Sequence, residues 1–154
     1  MKVSFVYDEK DGFRTNVENK TDVILKNSIS NNAKHFSPTE HLLLAMGGCS
    51  SDDILTILTK MKEPVSGFQC EISGERREEN PKTLTHVNIH FIFREKINPV
   101  KARKAINLSL TKYCSVSIIV RQGGADLRYS LTIDGKNYDF DRLPEQALAE
   151  AAEN

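Results

Sequence analysis

Ser37-Pro38-Thr39-Glu40-His41-Leu42-Leu43-Leu44-Ala45-Met46-Gly47-Gly48-Cys49 is the stretch on which the fold of this chain turns. Ser37 stands where a helix N-cap accepts free backbone donors, Pro38 takes the first helical position, and Glu40, three residues after Ser37, completes a capping box. From that start Leu42, Ala45, Met46 and Cys49 share one helical stripe. Leu43, Ser50, Ile54, Leu58 and Met61 run along an adjoining one, until Glu63-Pro64 closes the element. Nearly every face is apolar from Leu42 to Asp52, so the helix is expected to be buried on more than one side, at the centre of the domain or in a subunit interface. A glycine inside a helix costs about 1 kcal/mol relative to alanine, so Gly47-Gly48 predicts the close approach of another backbone.

On the N-terminal side, Lys2 to Tyr7, Phe13 to Val17 and Asp22 to Leu25 read as strands of a small antiparallel sheet, with turn chemistry at Asp8-Glu9-Lys10-Asp11-Gly12. The polar segment Lys26 to His35 reads as a surface loop leading into the helix. On the C-terminal side, Val65 to Gly74 and Thr83 to Arg94 form a predicted hairpin, with Val87, Ile89, Phe91 and Phe93 alternating on one face. Asn98-Pro99 repeats the cap-plus-proline signature. It opens a second helix with Ala102, Ala105, Ile106, Ser109 and Tyr113 along one side and Lys101, Lys104 and Lys112 elsewhere, ending at Cys114. Ser117 to Val120 and the alternating Leu127, Tyr129, Leu131 and Ile133 read as further strand, separated by a turn at Gly123-Gly124. Leu143 to Ala151 reads as a short terminal helix.

With 154 residues and 39% hydrophobic content, a single domain covering 1–154 is expected. The formal net charge of +0 supplies no global field for a phosphate backbone or an anionic bilayer, which argues against nucleic acid and membrane as partners. No signal-peptide pattern opens the chain and no apolar segment reads as long enough to span a bilayer, so a cytoplasmic location is expected. Three cysteines without a C-x-x-C spacing fit neither a secreted disulfide framework nor a zinc ribbon. His86 and His90 share a strand face but lie roughly 13 Å apart at about 3.3 Å per residue, too far for one ion, so no metal is expected. They read as surface or edge residues. Cys70, between Phe68 and Ile72, reads as a core or edge residue without a partner.

If folding brings Cys49 and Cys114 together, the chain carries a two-thiol redox device. Asp52 and Asp53 follow Cys49 at i+3 and i+4 and would oppose a thiolate if they faced it, although they read most simply as a solvated or interface face. A cation is then needed near Cys49, and Arg14, His41 and Arg121 are the candidates.

The Ser37 to Cys49 stretch, followed by Tyr113-Cys114-Ser115-Val116-Ser117, resembles the OsmC/Ohr superfamily, in particular its OsmC-like, YhfA-type branch. The similarity runs from the first hairpin to about Ile133 and includes Glu79-Asn80-Pro81-Lys82 in the hairpin turn. It implies a compact α+β fold in which antiparallel sheets wrap around two central helices, forming an intertwined homodimer with sites at the subunit interface. It also implies a thiol peroxidase that prefers organic hydroperoxides and uses no cofactor. Cys49 would become a sulfenic acid, Cys114 would condense with it to a disulfide, and an external dithiol reductant would reset the pair. Arg14 is the nearest match to the arginine that stabilises the thiolate. Phe36, Met46 and Phe13 are candidates for an apolar pocket for the hydroperoxide tail, and are equally ordinary as core.

One departure stands out. Peroxidase members carry a glutamate ten positions before the reactive cysteine, where this chain has Thr39. Glu40, one place later, is rotated by about 100° around the helix and is accounted for by capping. The alternative to turnover is therefore a redox-sensing or small-molecule-binding protein that keeps the fold and the thiol pair.

Overall fold

A computed structural model describes residues 1–26 and 34–147. They divide into two compact units, Met1–Leu44 and Ala45–Asn154, and the division falls inside the first helix. In the first unit β1 (Phe5–Asp8), β2 (Gly12–Thr15) and β3 (Ile24–Leu25) form an antiparallel sheet in the order β1-β2-β3. Gly12 takes the tight turn at φ 107°, a conformation that side chains resist. Phe13 meets Phe5 edge-on with ring centroids 5.5 Å apart and meets Tyr7 at the same distance.

Helix α1 (Pro38–Lys60) opens as its sequence predicts. The Ser37 N–H donates to Glu40 Oε2 at 2.7 Å and the Glu40 N–H donates to Ser37 Oγ at 3.3 Å, the reciprocal pair of a capping box. The Glu40 carboxyl is held below its ordinary range by these Ser37 hydrogen bonds, which agrees with a structural role.

In the second unit, β4 (Phe68–Arg76), β5 (Leu84–Phe93), β6 (Asp126–Ile133) and β7 (Lys136–Arg142) form one sheet in that spatial order. The β4–β5 hairpin and the β6–β7 pair are antiparallel, whereas β5 and β6 at the centre run parallel. Parallel neighbours need a long crossover, and here it is helical: α2 (Pro99–Leu108), a π turn over Ser109–Tyr113, and α3 (Ser115–Gln122). The expected alternation is present in full. Val87, Ile89, Phe91, Phe93, Leu127, Tyr129, Leu131 and Ile133 are all buried. Asn98 caps α2, its Oδ1 accepting from the N–H groups of Val100 at 2.9 Å and Lys101 at 3.3 Å. The helix is latched to the end of α1 by Lys101, whose Nζ reaches Glu63 Oε1 at 2.6 Å and the Met61 carbonyl at 3.0 Å.

Several sequence expectations are corrected. Ser117 to Val120 is helical, because Cys114 caps a new helix that buries Ser117 and Val120 at i, i+3 spacing; the β-branched run misled the reading. Tyr113 is exposed rather than aligned with Ser109, since the π turn adds a residue per turn and rotates it off the α2 stripe. His86 and His90 lie on a central strand, not an edge. His86 faces Asp141 at 3.4 Å and Asp126 at 3.7 Å, while His90 Nε2 meets Thr132 Oγ1 at 2.8 Å. The loop expected at Lys26 to His35 and the end of the terminal helix expected at Leu143 to Ala151 fall largely outside the described residues. Pro144–Ala147 forms a single 3-10 turn.

Helix α1, at 23 residues, is long and apolar enough by length and composition to cross a membrane, contrary to the sequence expectation, because its apolar pattern continues through Ile54 and Leu58 past the acid pair. Met46, Ile54 and Leu58 are fully buried within the fold, as in a core helix. Burial nevertheless follows one stripe, Met46, Gly47, Ser50, Ile54 and Leu58, while Leu42 and Leu44 are exposed, so the multi-sided burial read from the sequence is not seen among the described residues.

The two glycines differ for the same reason. A Cβ on Gly47 would lie 3.6 Å from Cys70 Sγ, an ordinary contact, whereas one on Gly48 meets nothing within 4 Å. Gly48→Ala is therefore expected to stabilise the chain by about 1 kcal/mol in chemical denaturation. A loss of stability would mean that another surface covers that face.

Candidate functional site

Cys49 lies three turns into α1 and is half-buried; Cys114 is fully buried at the start of α3. The crossover carries Cys114 back against α1, so that the two sulfur atoms and a carboxylate oxygen of Asp53 all lie within 4.8 Å of one another. Both thiols are free.

Cys114 ends the helical run of α2 and the π turn, as its sequence suggested, its N–H donating to the Ser109 carbonyl at 2.9 Å, and it also begins α3. Its backbone is extended at φ −69° and ψ 99°, and its sulfur accepts the Ser117 N–H at 3.4 Å and the Ser117 hydroxyl at 3.1 Å. The second role adds the N-terminus of α3 at the same residue, and a helix N-terminus favours negative charge. Burial nonetheless prevails: it pushes the Cys114 thiol up, assisted by the hydrogen bond with Cys49 and only partly offset by Ser117. Cys114 is thus held as the protonated thiol.

Asp53, expected on a solvated or interface face, is half-buried and turned toward the thiols. Its Oδ2 accepts from the Ser109 hydroxyl at 3.1 Å, and the same hydroxyl lies 3.2 Å from the Ser50 carbonyl. Ser109 opens the π turn, a local irregularity often found where a side chain must be aimed. One signal for Asp53 was available in the sequence: four residues after Cys49, it shares that helix face. Nothing in the sequence marks Ser109 or Ser117 as partners.

Of the expected cations, Arg121 is directed to the Leu110 carbonyl at 3.5 Å and to the Glu145 carboxylate. Arg14 and His41 belong to the first unit. Arg14 pairs there with Asp22 at 3.3 Å and Asp11 at 3.5 Å, and the His41 ring packs edge-on against Phe36 at 6.0 Å. Among the pocket candidates, Phe36 is exposed in the first unit and Met46 is fully buried in the second. Phe13 lies in β2. An open cleft of about 520 Å³ adjoins the site instead, lined by Asp53, Ile57, Lys60, Met61, Leu108 and Tyr113 among others. Cys70, half-buried in β4, is a thiol pushed up by burial with a nearby Ser51 hydroxyl, as an inert core cysteine would be.

The sequence model of the family described as OsmC-like protein matches residues 31–137, a span that contains Cys49, Asp53 and Cys114. This chain belongs to the OsmC-like protein family. Protein YhfA of Escherichia coli K12 is 39% identical to this OsmC-like chain over 87 residues, 56% of the chain and 65% of the relative's length. A hypothetical protein from Aquifex aeolicus VF5 superposes with a TM-score of 0.75 at 26% identity, covering 86% of this chain and 94% of its own. A Legionella pneumophila structure, described as an organic hydroperoxide resistance protein OsmC and predicted redox protein, superposes at 0.65 with 11% identity, covering 86% and 98%. The α+β OsmC-like fold is thereby established, central parallel pair included.

Proposed function

We propose that this OsmC-like protein is a thiol-dependent peroxidase for organic hydroperoxides, with Cys49 as the peroxidatic and Cys114 as the resolving cysteine. The observation that carries this reading is the placement of both sulfurs within 4.8 Å of each other, one on a half-buried helix face and the other buried behind it. The Cys49 thiolate attacks the distal peroxide oxygen, the O–O bond breaks, and an alcohol leaves with a proton as Cys49 becomes a sulfenic acid. The Cys114 thiol then attacks the Cys49 sulfur, expelling water and forming the disulfide. An external dithiol returns two electrons and two protons by exchange. Forming the disulfide closes the sulfurs from this separation to an S–S bond of about 2.0 Å. Proton retention on Cys114 suits its role, because the resolving thiol must stay reduced until the sulfenic acid forms.

Family membership and the fold shared with a hydroperoxide resistance protein support this reading. The reaction is assigned to a cytoplasmic homodimer. A second reading, redox sensing or small-molecule binding without efficient turnover, is favoured by Asp53, a carboxylate beside both thiols, and by Thr39 in place of the family glutamate.

Peptide mass mapping after one equivalent of t-butyl hydroperoxide separates these from an inert fold. Both readings expect a Cys49–Cys114 crosslink. In Cys114→Ser, Cys49 is expected to persist as a dimedone-reactive sulfenic acid. Steady consumption of hydroperoxide with dithiothreitol identifies the peroxidase, and a single stoichiometric oxidation identifies the sensor. A crosslink through Cys70, or unmodified Cys49, overturns both.

A further inference from the structure

Beyond thiol oxidation, the same corner holds a donor set with a different chemistry. We propose that reduced Cys49 and Cys114, together with Asp53, form a three-ligand site for a thiophilic divalent cation, zinc in particular. Tetrahedral zinc with bonds of about 2.3 Å to sulfur and 2.0 Å to oxygen places its donors about 3.8 Å apart for two sulfurs and about 3.5 Å apart for sulfur and oxygen. Cys49 Sγ, Cys114 Sγ and an Asp53 oxygen, mutually within 4.8 Å, need little movement to meet that geometry. Two thiolates select against magnesium and calcium, and a mixed sulfur–oxygen set suits zinc.

The surroundings are those of metal ligands. The Ser109 hydroxyl holds the Asp53 carboxylate at 3.1 Å, and the Ser117 N–H and hydroxyl point at the Cys114 sulfur at 3.4 Å and 3.1 Å. Outer hydrogen bonds of this kind fix ligand orientation and tune metal affinity. Three protein donors leave a fourth position for water, and the half-buried Cys49 and Asp53 give an ion access from one side, while Cys114 closes the other. Zinc and the disulfide are mutually exclusive because each uses both sulfurs, so the bound ion would shield the thiols from hydroperoxide. The inference does not depend on peroxidase turnover.

The test is anaerobic titration of the fully reduced chain with Co²⁺, followed by Zn²⁺. One equivalent of cobalt is expected to give a sulfur-to-cobalt charge-transfer band and the intense visible bands of a tetrahedral site, both lost on adding one equivalent of zinc. Asp53→Asn, which keeps the shape of the side chain, should weaken binding at least about tenfold. Cys114→Ser should abolish the charge-transfer band of the pair, and Cys70→Ser should leave the titration unchanged. No charge-transfer band in the wild type, a band that follows Cys70, or unchanged affinity in Asp53→Asn would overturn the site. None of these readouts uses a peroxide, so they stand or fall separately from the redox reading.

Discussion

Cys49→Ser is expected to reduce hydroperoxide consumption to the rate seen without protein, in an assay coupled to a dithiol reductant. A serine hydroxyl is a far weaker nucleophile at neutral pH and forms no sulfenic acid, so both the first bond and the later disulfide are lost. Cys114 offers no substitute route, because it is fully buried and that burial raises its thiol. Cys70 is likewise a half-buried thiol pushed up by burial. The fold itself should tolerate the change, since the side chains are nearly the same size and position 49 is only half-buried. Circular dichroism would confirm that. Residual turnover in Cys49→Ser comparable to the wild type would transfer the nucleophile to another cysteine and defeat the proposed chemistry.

Asp139→Ala is expected to produce the largest loss of stability, about 3–5 kcal/mol in chemical denaturation, out of a total that for a protein of this size is typically 5–15 kcal/mol. The Asp139 side chain in β7 is fully enclosed, and its two oxygens accept from Arg103 Nε at 2.9 Å, Arg103 Nη2 at 3.0 Å, Arg142 Nη1 at 2.8 Å and the Tyr129 hydroxyl at 3.1 Å. Truncation leaves two partly buried guanidinium groups and a buried phenol facing a void, which costs far more than the net worth of the intact cluster. Because Arg103 lies on α2 and Tyr129 on β6, the loss would loosen the crossover that carries Cys114.

The same cluster sets a pH dependence. Burial alone would raise the Asp139 carboxyl, but the hydrogen bonds from Arg103 and Arg142 outweigh it and hold the group below its ordinary value. A depressed carboxylate contributes stability that is fully present above the unfolded value near pH 4 and is lost as pH falls through the folded one. Wild-type stability should therefore drop on acidification through that window. The drop should be shallower in Asp139→Asn, which keeps the shape and lacks the titrating proton; equal pH slopes would remove Asp139 as the cause.

What the sequence alone determined was local. The starts of α1 and α2 were legible because a cap is a hydrogen bond between residues two or three apart, as Ser37 with Glu40 and Asn98 with Val100. The inner faces of β5 and β6 were legible because side chains alternate with a period of two whatever the neighbouring strand does. Alternation says nothing about direction, so the parallel pairing of β5 with β6 was not readable, and the helical crossover through α3 followed from it. Cys114 as an N-cap was hidden because cysteine is not among the usual caps and the residues after it favour strands.

The resemblance paired Cys49 with Cys114, whose sulfurs lie within 4.8 Å of each other, but the tertiary structure decided their company. Asp53 meets Ser109 across 56 residues of chain, and Arg121 turns toward Glu145 instead of the thiols. Contacts of this range depend on how α1 and the crossover pack against the sheet, and that packing is a sum over many buried side chains which no short stretch of sequence contains.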